Sequence, residues 1–274
     1  MPRLSMNELT TFRWSFDEDL FHYSRAGYDA VGVWRRKLAD FGEERGAELL
    51  ADSGMAVSNL LWAGGFTGND GRSLAESVAD GQAAIRTASV INAGCLVLYT
   101  GGRNNHTSRH AQRLVRSALE DLLVTADEYD VTLAIEPMHT ACAGEWSVLT
   151  TLEDTVDLLA DFASPRLKLV YDTYHFPLPE RELPLLCDLT PMIAVVHLGD
   201  ARTPHGIDQE RCPLGSGRAP VSEMISTLLE AGYEGDFDIE LMGPTIEASD
   251  YESVLRSSRD FFQQSVQSAG LLRR

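Results

Sequence analysis

Four ionisable residues each close a short apolar run in the second half of the chain. Glu136 ends LAIEP, Asp172 ends LKLVYD, His197 lies near the end of IAVVHL, and Glu240 ends FDIEL. A carboxylate at the end of a hydrophobic strand carries a desolvation penalty. Three of them brought to one place would also repel one another. A bound divalent cation relieves both problems. Two Glu, one Asp and one His make an oxygen-rich shell with a single nitrogen. Such a shell suits Mn²⁺ foremost, Mg²⁺ or Co²⁺ as well, and admits Zn²⁺. The expected cofactor is therefore one divalent metal ion. Taken singly, a strand-end acid is more often a loop cap and a strand histidine a satisfied core residue. Their recurrence on successive strands points to a shared ion.

A cation held this way supports proton transfer next to a carbonyl. Holding a carbonyl and its neighbouring hydroxyl, it acidifies the C–H between them and stabilises the enediolate. A carboxylate can then remove that proton. Return of the proton to the adjacent carbon isomerises an aldose to a ketose; delivery from the opposite face epimerises it. Loss of a β-hydroxyl instead would be dehydration. The expected substrate is a small sugar or related polyhydroxy carbonyl compound.

The elements that must position these residues are legible as an alternation. Apolar runs predict strands at Met6–Thr11, Ala30–Trp34, Met55–Leu61, Cys95–Thr100, Thr132–Pro137, Leu167–Asp172, Ile193–Leu198 and Asp236–Leu241. They lack strict polar alternation, as expected for parallel strands buried on both faces. Helices are predicted between them: one capped by Ser15 and ended by Gly27, then Ser73–Ala93, Thr107–Tyr129, Thr151–Phe162, Val221–Ala231 and Asp250–Val266. No glycine-rich phosphate turn follows the first strand, which argues against an open doubly wound sheet. An eight-stranded barrel needs roughly 250 residues. The chain of 274 fits a single (β/α)8 TIM barrel domain spanning 1–274. Active sites of that fold lie at the C-terminal strand ends, where the four residues stand. The stretch Asp200–Pro220 reads as a long loop after the seventh strand, and long loops in compact domains are often functional.

Composition narrows the partners. The formal net charge is -18, from 41 acidic and 23 basic residues, a field that repels nucleic acid and anionic membrane surfaces. No run of about 18 apolar residues would span a membrane, and the first residues have no signal-peptide segment. Four scattered cysteines, Cys95, Cys142, Cys187 and Cys212, read as reduced thiols of a cytoplasmic protein. The expected partner is a small-molecule sugar or polyol; a homo-oligomer is compatible with the sequence but not readable from it.

The stretches AIEPMH, VYDTYHF, VVHLGDAR, PLGSGRAPV and DIELMG, in that order, resemble the sugar phosphate isomerase/epimerase superfamily, the xylose isomerase-like barrels. That group includes tagatose and psicose 3-epimerases, hydroxypyruvate isomerase and inosose dehydratase. The resemblance implies that Glu136, Asp172, His197 and Glu240 are metal ligands. It implies that Glu136 and Glu240 also act as the acid/base pair, that His175 contacts substrate, and that Arg202 binds a substrate oxygen. Arg218 is a looser match of the same kind. The residues themselves add four candidates. His139 follows Glu136 and reads equally as a substrate contact or a loop stabiliser. Trp34 and Trp62 follow the second and third strands, where they would wall a sugar pocket or simply pack. His106 sits in the polar loop after the fourth strand as a further substrate contact. The alternatives are a metal-dependent dehydratase of a cyclic polyol ketone and, in another class, a non-catalytic sugar-binding barrel. The related metal-dependent endonucleases need a basic groove and more histidines than the seven present.

Overall fold

A computed structural model describes residues 2–203 and 205–270. Eight strands form a closed barrel in sequence order: β1 (Arg3–Asn7), β2 (Ala30–Trp34), β3 (Ala56–Gly64), β4 (Leu96–Tyr99), β5 (Leu133–Ile135), β6 (Leu167–Asp172), β7 (Ile193–Leu198) and β8 (Asp236–Ile239). Every neighbouring pair is parallel, and β8 closes onto β1. This is the expected (β/α)8 TIM barrel.

The helices are α1 (Phe16–Ala26), α2 (Arg35–Phe41), α3 (Glu43–Ser53), α4 (Leu74–Val90), α5 (Ser108–Glu128), α6 (Leu152–Phe162), α7 (Leu185–Leu189), α8 (Val221–Glu230), α9 (Pro244–Glu247) and α10 (Tyr251–Ser268). Their starts follow from local chemistry. Ser73 accepts the Glu76 N–H while Glu76 reaches back to the Ser73 backbone, a complete capping box. Thr107, Thr151 and Asp250 accept an N–H of the first turn in the same way. The apolar face of each long helix packs on the outside of the barrel, in one continuous core that takes in Leu38, Ile85, Leu122, Leu159 and Met224.

The first and third strands differ most from the sequence expectation. The first strand lies earlier, at Arg3–Asn7 rather than Met6–Thr11. Barrel closure fixes it: Arg3 to Met6 pair with Asp236 to Ile239. Beyond the strand, Asn7 turns the chain by accepting the Leu9 N–H on its side chain and the Thr10 N–H on its carbonyl. The third strand runs on to Gly64, so Trp62 lies inside β3 rather than after it.

Inside the barrel, strand alternation stacks side chains in layers. Leu9, Leu61, Cys95, Val97, Ala134, Val170 and Val195 form an apolar plug. Glu136, Asp172 and His197 each stand two residues beyond Ala134, Val170 and Val195, so they point inward above the plug.

Candidate metal centre

Glu136, Asp172, His197 and Glu240 are all buried, and one ligand atom from each lies within 4.8 Å of the others. Strand register produces this. Asp172 on β6 pairs with His197 on β7, and the Glu240 N–H, just past β8, bonds to Leu198 O. Glu136 follows β5 directly and is anchored by its N–H on Leu98 O.

The His197 Nδ1 atom stands 2.7 Å from Glu240 Oε2 and 3.3 Å from Glu136 Oε1. Yet His197 Nδ1 and Glu240 Oε2 have no hydrogen-bond partner of acceptable geometry among the described residues. Buried polar atoms are rarely left so. Close approach without hydrogen-bond alignment is what donor atoms sharing a cation would show. The donor set of three carboxylates and one imidazole is also the chemistry of a divalent site. The residues therefore fit a divalent metal ion.

Electrostatics agree. Burial opposes charge on His197, but Glu240 and Glu136 outweigh it and push the imidazole well above its ordinary range. Burial likewise pushes Glu136 up, against the pull of His197. At Glu240 burial is overcome by Arg211 and His197, which bring the carboxyl down to about 2. The two glutamates thus sit in unequal fields because a buried guanidinium lies on the Glu240 side.

That guanidinium belongs to Arg211, fully buried in the loop after β7. Its Nη2 lies 2.8 Å from Asp172 Oδ2 and 3.1 Å from Glu240 Oε1, and its Nη1 donates to Glu240 O at 2.8 Å. It stacks over the Tyr174 ring at 4.7 Å. The loop is shaped to deliver it. Asp200 accepts the N–H groups of Gly215 and Gly217 at 3.1 and 2.8 Å, and Arg211 N donates to Met242 O. Gly199 leaves the space the side chain needs, since a Cβ there would meet Arg211 Nη1 at 2.6 Å. With His197 neutral, as a metal ligand must be, three carboxylates against one guanidinium leave two negative charges, which a divalent ion would balance.

Of the arginines in this loop, Arg211 rather than Arg202 reaches the cluster. Arg202 is exposed, and its Nε donates to Ser216 O at 3.3 Å. Arg218 lies with Tyr174 and His205 on a separate, smaller cleft. His175 is buried beside the cluster. Its Nδ1 accepts the His139 N–H at 3.2 Å, which puts the ring proton on Nε2. That Nε2 has no partner among the described residues, and burial lowers the imidazole to about 4. His175 is therefore a neutral N–H donor. His139 buttresses it through the backbone and stacks on His205 at 4.2 Å.

Trp34 and Trp62 are half-buried and pack on the apolar plug, with Trp34 also against Phe12. Trp62 meets Tyr99 and Trp146 edge-on. Tyr99 and Trp146 line a cleft of about 680 Å³ together with Asn69 and Arg103. His106 is not brought to the cluster; its Nε2 contacts Thr67 O at 3.1 Å and its ring meets His110. No signal beyond its place in a Gly- and Pro-rich loop marked Arg211 in the sequence.

Residues 22–265 match the family described as xylose isomerase-like TIM barrel. The chain is 28% identical over 133 residues to a protein named D-psicose 3-epimerase from Enterocloster bolteae, a match covering 48% of this chain and 40% of that protein. It is 23% identical over 276 residues to a protein named inosose isomerase from Halalkalibacterium halodurans, covering 94% of each. In three dimensions it is similar to the IOLI protein, solved with a bound zinc atom. The TM-score is 0.83 at 19% identity, over 97% of this chain and 99% of that one.

Proposed function

Because the chain belongs to the xylose isomerase-like TIM barrel family, we propose that it is a divalent-metal-dependent isomerase or epimerase of a small sugar or related polyhydroxy carbonyl compound. The observation that carries this reading is the buried cluster of Glu136, Asp172, His197 and Glu240, with ligand atoms within 4.8 Å of one another. These four would hold the ion, Mn²⁺ in the first instance, with Mg²⁺, Co²⁺ and Zn²⁺ as the other candidates. When bound, the ion supplies Lewis acidity at a carbonyl and its neighbouring hydroxyl, making the C–H between them easier to ionise.

The chain's own residues do the rest. Glu136 and Glu240 come from strands three apart in the barrel, so a ligand between them has a carboxylate on either side. One takes the proton from carbon. If the same carboxylate returns it to the adjacent carbon, the product is the isomer; if the other delivers a proton from the opposite face, the product is the epimer. Arg211 and the free Nε2–H of His175 are donors placed to hold substrate oxygens. Trp34 and Trp62 offer flat apolar faces suited to the C–H side of a sugar. Burial of the cluster keeps bulk water from the carbanionic carbon.

A cyclic polyol ketone is a second substrate class, supported by the match along nearly the whole chain to a protein named inosose isomerase. On such a substrate, loss of a β-hydroxyl would make the reaction a dehydration.

The test is proton exchange in ²H₂O over a panel of ketohexoses, ketopentoses and inosose, followed by NMR. Metal-dependent incorporation of deuterium at one carbon, with an isomer, epimer or dehydrated product, is expected. Exchange that survives complete chelation, or no exchange across the panel with metal-loaded protein, overturns the proposal.

A further inference from the structure

One buried acid on β8 is not used by the reaction described above. Asp238 lies on β8, two residues before Glu240, and is fully buried. At the corresponding positions two residues below Glu136, Asp172 and His197, the chain carries Ala134, Val170 and Val195. Packing in this layer therefore does not call for an acid, and a buried carboxylate costs several kcal/mol unless it is compensated.

The fold nonetheless builds a seat for it from four strands. Asn7 on β1 and Asn59 on β3 each donate a side-chain N–H to Asp238 Oδ2 at 2.8 Å. Gly32 on β2 leaves the necessary space, since a Cβ there would fall 2.3 Å from that same oxygen. The cross-strand partner of Asp238 on β7 is His197. Its Nε2 stands 3.9 Å from Asp238 Oδ2 and has no hydrogen-bond partner among the described residues.

The imidazole of His197 thus lies between two acidic environments: Glu136 and Glu240 at Nδ1, Asp238 at Nε2. A neutral imidazole carries one proton, and the group facing one nitrogen decides which nitrogen is left as a ligand. Carboxylates facing the far nitrogen of a metal-binding histidine fix its ring and raise its basicity. We propose that Asp238 is a positioning residue for His197, keeping the ring proton on Nε2 so that the Nδ1 lone pair faces the ion site. The proposal rests on the metal reading of the cluster. It also accounts for the polar seat that Asn7 and Asn59 build around this buried carboxylate.

The experiment uses the full-length protein labelled with ¹⁵N-histidine, with His197→Gln identifying the His197 ring signals. Zinc and manganese affinities are measured by chelator competition for the wild type and for Asp238→Asn, which is isosteric but uncharged. The expected result is a wild-type zinc-loaded spectrum with Nε2 protonated and Nδ1 shifted by the ion. Asp238→Asn is expected to lower both affinities by about 10–100-fold and to move the His197 Nε2–H signal. A purely structural Asp238 would leave affinity and ring signals unchanged; both affinities within twofold of wild type together with an unmoved signal overturn the proposal. Should Asp238→Asn not fold, the wild-type spectrum decides: protonation at Nδ1 overturns the proposal. A wild type that takes up neither ion removes the metal reading instead. Metal-free spectra at a pH where His197 is neutral then decide on Asp238, with Nε2–H supporting its role and Nδ1–H overturning it.

Discussion

Arg211 and Asp172 are 39 residues apart in the chain, yet Arg211 Nη2 donates to Asp172 Oδ2 at 2.8 Å with both side chains fully buried. The guanidinium is a fixed positive charge drawn into the carboxylate cluster, and its planar fork also serves Glu240. Lysine would keep the charge but lose the fork. Arg211→Lys is expected to fold and bind metal, with deuterium exchange reduced by about 10²-fold. Arg211→Ala leaves buried carboxylates uncompensated and should lose about 3–5 kcal/mol of stability in the metal-free protein. Deuterium exchange at saturating metal checks the first, and denaturant unfolding with and without metal checks the second; an Arg211→Ala variant as stable as wild type without metal would show that the pair contributes nothing.

Glu136→Gln and Glu240→Gln are each expected to abolish or nearly abolish proton exchange, a loss of about 10²–10⁴-fold where a general acid or base is removed. Each also removes a charged ligand, so the measurement is made at saturating metal, with occupancy confirmed separately. Normal exchange in either fully loaded variant would remove that glutamate from the proton-transfer role.

The contrast between these two glutamates and Arg211 shows what the sequence makes visible. Glu136, Asp172, His197 and Glu240 each interrupt an apolar run at its end, and strand period alone then places them on one rim. Arg211 lies in a loop whose path depends on Asp200 binding the N–H groups of Gly215 and Gly217, a long-range arrangement with no periodic signature. Arg202, which the resemblance matches to a substrate-binding arginine, lies exposed in the same loop with its Nε on Ser216 O, because proximity to His197 in a loop does not set direction. The first strand departs from its sequence expectation for a related reason. Thr10 and Thr11 have strand-forming side chains, while barrel closure against β8 selects Arg3–Asn7. The His106 ring, in the loop after β4, is turned onto Thr67 O, a contact its sequence neighbours do not signal.

Metal removal should be readable without any substrate. Dialysis against a chelator is expected to lower the thermal midpoint, and an ion at about 100 times its Kd should restore about 2.7 kcal/mol. For a domain of this size that corresponds to roughly 5–10 °C. The ion that gives the largest recovery at equal free concentration identifies the preferred metal. An unchanged midpoint with every ion tested would mean that the cluster holds none.

A second buried group of charges, away from the ion site, predicts how stability depends on pH. Glu8 and Asp19 are both fully buried near Lys37, whose Nζ donates to Asp19 Oδ2 at 2.5 Å and to Thr11 O at 3.0 Å. Glu8 Oε2 accepts the Trp34 N–H at 2.7 Å, and its Oε1 has no partner among the described residues. Burial, then the neighbouring Asp19 carboxylate, pushes Glu8 well above its ordinary value of 4.5, against the opposing pull of Lys37. The folded protein therefore keeps a proton on Glu8 that the unfolded chain has already released above about that pH. Wherever the folded state binds more protons, stability falls as pH rises. Glu8→Gln removes this titration while keeping the shape and an acceptor for Trp34. Its stability relative to wild type is expected to grow with pH above the ordinary carboxyl range, by up to about 1.4 kcal/mol per pH unit while the proton difference lasts. Urea unfolding of the metal-free proteins across that range checks it, and parallel curves for the two proteins would show that Glu8 is ionised in the fold.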